Sequence, residues 1–207
     1  AEPLILHQGL TKAEAEAQSV HILKAMGLGD AANVAESYPH ELSGGMKQRV
    51  LMAIALGCDP SILIADEPFT AVDVSIQDQL MDLLKRLQQE RQFSCLLITH
   101  DLGVAAEICD RIYVMYAGQI VETGDIHTIF DYPKHPYTKG LIQSAKISRT
   151  DSEALPYIPG EVPSMLDPPS GCRFHPRCDQ AMERCLTQEP GRTDLDQQQW
   201  VKCWLYE

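Results

Sequence analysis

The sequence lacks the G-x-x-x-x-G-K-[S/T] loop that would hold the phosphates of a nucleotide within the same chain. It also lacks any apolar run near 18 residues, so it predicts no membrane-spanning helix. Basic residues are few: 17 Lys and Arg stand against 29 Asp and Glu, and the net charge of −12 argues against broad nucleic-acid binding, which needs a basic face. Neither a signal peptide nor an initiator Met opens the chain, so we expect a missing N-terminal part before Ala1.

The remaining composition is ordinary for a folded protein, and 207 residues suffice for one domain with an appendage or for two small domains. Two short apolar runs, Ser61–Ala65 and Phe93–Thr99, are followed by polar residues, which is typical of buried parallel strands. Helical patterns precede and separate these runs. The alternation predicts an α/β sheet with functional residues at the carboxyl ends of its strands.

The stretch "ELSGGMKQRV" predicts a helix that begins at Ser43 and runs to about Gly57, with an anion-binding start. Free amides point outward at a helix start, the helix dipole is positive there, and Gly44 and Gly45 let a phosphate approach the backbone. A plain loop and helix cap explain these three residues equally well. The side chains expected on the inward face of this helix are Val50, Leu51, Ile54 and Ala55.

Acidic residues and a histidine follow the two predicted strands. Asp66 and Glu67 end the first, so one carboxylate could hold Mg²⁺ while the other orients or deprotonates an attacking water. His100 ends the second and could reach a γ-phosphate. Taken singly, the acid pair is explained as a surface pair or helix cap, and the histidine as a capping neighbour.

The order of four motifs is far more specific than any of them alone: "LSGGMKQR", "ILIADEP", "TAVD" and "LLITHD". In this order they resemble the signature, Walker B, D-loop and switch-histidine motifs in the second half of an ABC-type ATPase. The resemblance implies a partial RecA-like, parallel-sheet α/β core with part of the helical subdomain. It also implies a P-loop and a glutamine loop upstream of Ala1, so the fragment alone should be inactive and bind ATP poorly.

The resemblance also implies a role for each motif residue. ABC ATPase domains pair head to tail, so Ser43, Gly44 and Gly45 would contact the γ-phosphate of ATP held by the partner. On the chain's own nucleotide, Asp66 would help to hold Mg²⁺, Glu67 would polarise the water and His100 would contact the γ-phosphate. Asp73 would act across the dimer, although Phe69 and Val72 depart from the usual D-loop pattern.

Two later stretches, "HPYTKGLIQS" and "IPGEVPSMLDPPSGCRFHPRC", resemble the oligopeptide, dipeptide and nickel importer branch of these ATPases. That branch implies a peripheral subunit on the cytoplasmic face of the membrane. Its partners would be a second ATPase subunit, two transmembrane permease subunits and an external solute-binding protein. The predicted function is ATP hydrolysis that powers peptide import. The alternatives are an importer of nickel or another small solute, a redox-responsive regulatory subunit, and a non-transport ABC ATPase.

A tight hairpin is predicted near the middle of the chain, where Arg111–Tyr116 and Gln119–Thr123 flank Ala117-Gly118. The last quarter of the chain has a different character and is rich in proline and cysteine. After about residue 146 the periodicity ends, and the five prolines of Ala154–Cys172 predict an extended segment. The sequence thus divides into 1–58 (end of the helical subdomain and signature helix), 59–145 (second half of the ATPase core) and 146–207 (tail).

The tail is too short for a core of its own, and four cysteines are available to staple it: Cys172, Cys178, Cys185 and Cys203. Four thiolates suit either zinc or an iron–sulfur cluster. The C-x5-C-x6-C-x17-C spacing lacks the close pair usual for structural zinc, which favours the larger cluster. The resemblance to the importer branch implies a [4Fe–4S] cluster on this tail, with Zn²⁺ as the alternative. His175 is a spare ligand candidate.

Overall fold

The structure is a computed structural model that describes residues 1–70, 72–145, 157–196 and 198–207. The chain forms two compact units, Ala1–Asp101 and Leu102–Glu207. Within the described residues, no helix is long and apolar enough to cross a membrane. The helices and strands of the first unit are α1 (Glu2–Gln8), α2 (Lys12–Ala25), α3 (Ala31–Glu36), α4 (Gly44–Leu56), β1 (Ile62–Asp66), α5 (Val74–Arg91) and β2 (Ser94–Ile98).

Local signals in the sequence set the helix ends of the first unit. Thr11 caps α2 and exchanges hydrogen bonds with Glu14, which forms the capping box that this spacing predicts. Ser43 caps α4 by accepting a hydrogen bond from the Met46 amide. α5 has a continuous apolar stripe, because Leu80, Leu84 and Leu87 recur at helical spacing and are all buried.

The prediction of which α4 side chains are buried is wrong. Ala53 and Leu56 are its buried residues, whereas Leu51 and Ile54 are more than half exposed. The helix is apolar on nearly every side, so periodicity could not distinguish its faces. Its orientation is set instead by contacts with α2 and α5.

β1 and β2 form a parallel pair, as predicted, with Ile64 opposite Leu96 and Asp66 opposite Ile98. The expectation that both faces are buried is wrong for this chain. Leu63 is buried, but the other face of the pair is exposed along its whole length, at Ile62, Ile64, Leu96 and Ile98. The uniformly apolar strands are therefore covered on one face only by the elements of this unit. The parallel register nevertheless brings the polar residues that follow both strands to one edge of the sheet.

The second unit is built on an antiparallel sheet in the order β3-β4-β6-β5. Its hairpin turns at Ala117 and Gly118, whose φ angles of 46° and 78° match the predicted tight turn. Residues 157–172 contain no helix or strand, in line with the predicted extended segment, whose first three residues lie outside the described part. The helices and strands of this unit are α6 (Leu102–Ile108), β3 (Arg111–Tyr116), β4 (Gln119–Asp125), α7 (Ile126–Asp131), α8 (Pro136–Ala145), β5 (Thr193–Asp194) and β6 (Trp200–Val201).

The tail does not form a separate core; it completes the core of the second unit. Phe174 is buried with Val114, Tyr116 and Ile142, and its ring meets Tyr116 edge-on with centroids 5.1 Å apart. β6 adds to the sheet beside β4, with Val201 opposite Glu122. Because sheet and tail share one apolar cluster, the tail gains stability that its own length does not provide.

Candidate functional site

The start of α4 has the geometry expected of an anion site. Ser43 is exposed, and its hydroxyl oxygen accepts from the Met46 amide at 3.3 Å, so its O–H remains able to donate outward. The amides of Gly44 and Gly45, at the first two positions of α4, have no partner within the helix. An added Cβ at Gly45 would lie only 2.8 Å from Cγ2 of Ile76. The absence of a side chain at Gly45 therefore lets the start of α4 pack directly against α5.

Two arginines fix α4 to its neighbours, one from the middle of the helix and one at its C-terminal end. Arg49 donates to the Met26 carbonyl at 2.7 Å and to Gln79 at 3.3 Å, which ties α4 to the end of α2 and to α5. Arg91, in the last turn of α5, donates to the Leu56 carbonyl at 2.9 Å and pairs with Asp59 at 3.0 Å. Ser43 at the start of α4 and Asp73 at the start of α5 thus belong to one braced pair of helices.

Glu67 and His100 meet at the carboxyl edge of the parallel pair. The Nδ1 atom of His100 lies 2.7 Å from Oε1 of Glu67, and the His100 amide donates to the same oxygen at 3.1 Å. Thr70 donates its hydroxyl to Oε2 at 2.9 Å. Glu67 adopts a left-handed backbone conformation with φ 48°, and its amide bonds to the Ile98 carbonyl at 2.9 Å. This unusual conformation for a residue with a side chain is held by contacts with the neighbouring strand.

The contact with His100 changes the proton affinity of both groups. The hydrogen bond from His100, followed by that from Thr70, lowers the pKa of Glu67 below its ordinary value of 4.5. The hydrogen bond to Glu67 and the charge of this carboxylate raise the pKa of His100 above 6.5. Glu67 is consequently ionised at neutral pH, which is the state needed to accept a proton from water.

The pair predicts a pH dependence that can be measured directly. The stability that the ionised Glu67 contributes to the folded state is present above pH 4.5 and is lost as the pH falls through its lowered pKa. The stability that the protonated His100 contributes to the folded state is fully present below pH 6.5 and is lost as the pH rises through its raised pKa. We expect the His100 ring to titrate above 6.5 by NMR, and Glu67→Gln to return its midpoint toward that value. An identical midpoint in both proteins would show that the contact is absent.

Asp66 and Asp73 stand apart from this pair. Asp66 is exposed at the last position of β1, directly before Glu67. Asp73 caps α5 by position only, since its side chain makes no capping hydrogen bond, and it is exposed. In the part of the chain that the structure describes, no hydrogen bond joins Ser43, Gly44 or Gly45 to Glu67 or His100. The structure therefore brings together Glu67 and His100 and does not join the signature residues to them by hydrogen bonds.

Thr70 is a site residue that the sequence reasoning missed. Its hydroxyl donates a hydrogen bond to Oε2 of Glu67, while His100 contacts Oε1, so both carboxylate oxygens have a partner. The signal was available, because Thr70 follows Glu67 by three residues in "DEPFT", within reach across a tight turn closed by the bond from the Thr70 amide to the Glu67 carbonyl.

In the second unit, all four tail cysteines line one small cavity. Cys172 is bonded through its amide to the Cys185 carbonyl at 2.9 Å, and Cys203 follows β6. His135 and His175 line the same cavity. The volume of about 10 Å³ is close to that needed for one water, so a larger guest requires the cysteine segments to move apart. Within the described residues, no group of three or more His, Cys, Asp or Glu is placed to hold a single metal ion.

Three of the four thiols of this cavity hold their protons more tightly than an exposed cysteine does. Burial raises the pKa of Cys172 and Cys203, and it raises the pKa of Cys178 to about 11. Neighbouring thiols add smaller upward contributions, which couple Cys172 to Cys185 and couple Cys203 to both. A metal bound here must displace these protons.

Gly171 holds the first cysteine against the third. Its φ is 66°, and an added Cβ would overlap the Cys185 carbonyl oxygen and lie 2.9 Å from the Gln188 amide nitrogen. Only glycine fits between these backbone segments. The three arginines that lie between or beside the first three cysteines bond to backbone carbonyls or aromatic rings: Arg173 to Ala117, Arg177 to Ile158 and Pro159, and Arg184 over the Trp204 ring at 4.2 Å.

A buried carboxylate organises the segment before α8. Glu122, fully buried in β4, accepts hydrogen bonds from the Lys134 amide at 2.7 Å and from the His135 amide at 2.9 Å. The Gln199 side chain donates to the same carboxylate at 3.2 Å. Sequence reasoning missed Glu122 and His135, because their partners are 12 or more residues away along the chain.

Two family models match separate parts of the chain. The "ABC transporter" model matches residues 3–70, and the "Oligopeptide/dipeptide transporter, C-terminal region" model matches residues 121–185. The chain is 47% identical over 206 residues to the oligopeptide transport ATP-binding protein AppD of Bacillus subtilis, which covers the whole chain. It is 46% identical over 202 residues, 98% of the chain, to the dipeptide transport ATP-binding protein DppD of Escherichia coli. The chain belongs to the oligopeptide/dipeptide family of ABC transporter ATP-binding proteins.

The two ABC relatives are longer than this chain, which spans 63% of the Bacillus protein and 62% of the Escherichia protein. One solved structure that resembles this chain is a dimeric ATP-binding cassette in a post-hydrolysis state, bound to ADP and Pi. The two are 32% identical with a TM-score of 0.49, and the match covers 56% of this chain and 49% of the solved chain. The family assignment confirms the resemblance to ABC ATPases, and the mixed fold with its parallel strand pair confirms the partial ABC core.

Proposed function

We propose that this chain is the C-terminal part of an ATPase subunit that powers peptide import. The observation that carries the proposal is the contact between Glu67 and His100, at the carboxyl edge of the parallel strands, in a chain of this family. Both curated relatives described above are named for peptide transport and ATP binding, which supports the substrate class.

The reaction is phosphoryl transfer from ATP to water. Glu67, ionised and held through both oxygens, polarises the attacking water, and His100 contacts the γ-phosphate beside it. Exposed Asp66 is available to Mg²⁺, which supplies charge neutralisation to the phosphates. A P-loop on another part of the protein is required, so the 207-residue fragment alone is expected to bind ATP poorly.

The signature residues serve a second nucleotide. The free amides at the start of α4 and the outward O–H of Ser43 suit the γ-phosphate of ATP held by a partner ATPase subunit, and Gly44 has no side chain to block its approach. Asp73, which makes no capping bond, acts across the same dimer. The bracing of α4 on α5 makes both contacts respond together when the dimer closes.

The proposed assembly contains two ATPase subunits, two transmembrane permease subunits and an extracytoplasmic solute-binding protein. The subunit lies on the cytoplasmic face of the membrane as a peripheral protein. Nucleic acid is not a proposed partner, since the net charge is −12.

Peptide uptake by cells tests this function. We expect deletion of the full-length gene to abolish uptake of labelled di- and oligopeptides, and the intact gene to restore it. Restoration by a gene with Glu90→Gln, an exposed acid on α5, would show that loss of one surface charge is harmless. Normal peptide uptake in the deletion strain, or a loss of nickel uptake alone, would contradict the proposed substrate.

For the tail we propose a [4Fe–4S] cluster held by Cys172, Cys178, Cys185 and Cys203. Support comes from the four cysteines that line one cavity and from their wide spacing along the chain. Zinc draws four sulfurs to about 2.3 Å from one centre, whereas a four-iron cluster gives each thiolate its own iron. When bound, such a cluster supplies a one-electron redox centre and a covalent staple for the tail.

Metal and sulfide analysis of the full-length protein, purified without oxygen, tests the cluster. We expect about four irons and four sulfides per chain in a brown sample. One zinc per chain in a colourless sample would replace the cluster with a structural zinc site. A metal-free protein would leave the cysteines as thiols and contradict both forms.

A further inference from the structure

Two histidines line the cysteine cavity, and their hydrogen bonds place the ring protons on opposite nitrogens. The Nδ1 atom of His175 lies 2.9 Å from the Cys172 carbonyl oxygen, which can only accept, so Nδ1 carries the proton. The Nδ1 atom of His135 accepts a hydrogen bond from the Tyr137 amide at 3.1 Å, so in the neutral ring the proton is on Nε2. His135 therefore presents an N–H group, whereas His175 presents a lone pair.

The ring of His135 is held rigidly beside the cavity. The residue is 1% exposed, its carbonyl accepts the first bond of α8 from the Lys139 amide, and its amide donates to buried Glu122. Its ring packs against Phe174 with centroids 5.6 Å apart. His135 is thus the N-cap of α8, and its side chain uses Nδ1 for the cap.

The Nε2–H of His135 has no role in that cap. Among the described residues, no side-chain hydrogen bond is formed by Nε2. Thr138 Oγ1 is the fully enclosed side-chain atom without a partner in this part of the chain, so Nε2 is not sealed off in the same way. The cavity that His135 lines offers thiol sulfurs as acceptors, and thiolates are much better acceptors than thiols.

We propose that His135 is an N–H donor to a sulfur atom of the group held by the four cysteines, and that this hydrogen bond favours the reduced form of that group. The inference rests on the proposed cluster. Reduction adds negative charge to the sulfurs, so a fixed donor stabilises the reduced state more than the oxidised state. The bond also assigns a function to a histidine that would otherwise serve only as a helix cap.

Two matched variants of the full-length protein separate the donor from the cap. His135→Asn keeps an acceptor at the position of Nδ1, and Asn is a good N-cap residue, but it removes the donor at the ε position. His135→Gln carries an N–H group to the ε position but loses the cap. The readouts are the thermal midpoint, the iron and sulfide content, and the reduction potential followed by electron paramagnetic resonance.

We expect His135→Asn to retain the thermal midpoint and to shift the potential to a more negative value. The expected shift is about tenfold in the reduction equilibrium, which is about 59 mV for one electron. His135→Gln should keep a potential closer to that of the natural protein while its thermal midpoint falls. Loss of iron from the Asn variant alone would also support a contact with the bound group.

Three results would overturn the inference. The first is an unchanged potential with full iron content in His135→Asn. The second is equal loss of iron from both variants, which would reduce His135 to a packing and capping residue. The third is an iron-free natural protein, which would also refute the proposed cluster and is recognised before any variant is made.

Discussion

Glu67→Gln in the full-length subunit is expected to keep ATP binding and to reduce steady-state ATP hydrolysis by about 100-fold or more, the usual contribution of a general base. The amide is nearly the same size as the carboxylate but cannot accept the proton of the attacking water. The substitution also replaces one oxygen that now accepts from Thr70 or His100 with a donor. Phosphate release measures turnover, and the fluorescence of a labelled nucleotide measures binding.

The comparison protein for this experiment is Glu90→Gln, which removes the same charge from an exposed position near the end of α5. It should hydrolyse ATP at the rate of the natural subunit. The rate of ATP hydrolysis by Thr70→Val should lie between those of Glu67→Gln and Glu90→Gln. This substitution removes one hydrogen bond from Glu67 but leaves the carboxylate and its contact with His100. Full turnover in Glu67→Gln would remove this residue from the mechanism.

Gly171→Ala is expected to destabilise the second unit by about 2–4 kcal/mol, through overpacking combined with a strained left-handed backbone. The added methyl group meets backbone atoms of Cys185 and Gln188, which cannot move aside as a flexible side chain would. The displaced backbone also separates Cys172 from Cys185. If the proposed cluster is present, we therefore expect loss of most of its iron together with the fall in stability.

Urea unfolding followed by tryptophan fluorescence measures this effect, because Trp200 and Trp204 are the only tryptophans of the chain and both lie in the second unit. Gly191→Ala is the matched control in the same unit. Its Cβ would meet only the Glu207 side chain, at an ordinary distance of 3.6 Å. Equal stability and iron content in the two alanine variants would show that the close approach at Gly171 does not exist in solution.

The predicted elements agree with the structure wherever one local signal decides them. The capping box at Thr11, the cap at Ser43 and the turn at Ala117-Gly118 depend on residues within a few positions of one another. Burial was harder to predict. The uniformly apolar sequence of α4 and β1 fits several orientations, so the exposed sides of Leu51 and Ile64 follow from packing alone.

The candidate site shows the same division. The spacing of the motifs identified Glu67 and His100, and parallel pairing of the two strands brings them within 2.7 Å. The roles of Asp66, Asp73 and the signature residues stay predictions. Thr70 and Glu122 were missed, since a hydroxyl or carboxylate in a sequence gives no sign of the partner it will meet.

The sequence by itself determined the family, the order of the elements from α4 to β4, the acid and histidine of the proposed reaction and the four cysteines, because each depends on residue type and spacing along the chain. Only the tertiary structure decided which helix faces are buried and that one cavity gathers all four cysteines. It alone decided that Gly171 admits no side chain and that His135 lines the cysteine cavity with its Nδ1 atom bonded to the Tyr137 amide. These properties arise from contacts between segments distant in sequence, whose mutual positions no local pattern specifies.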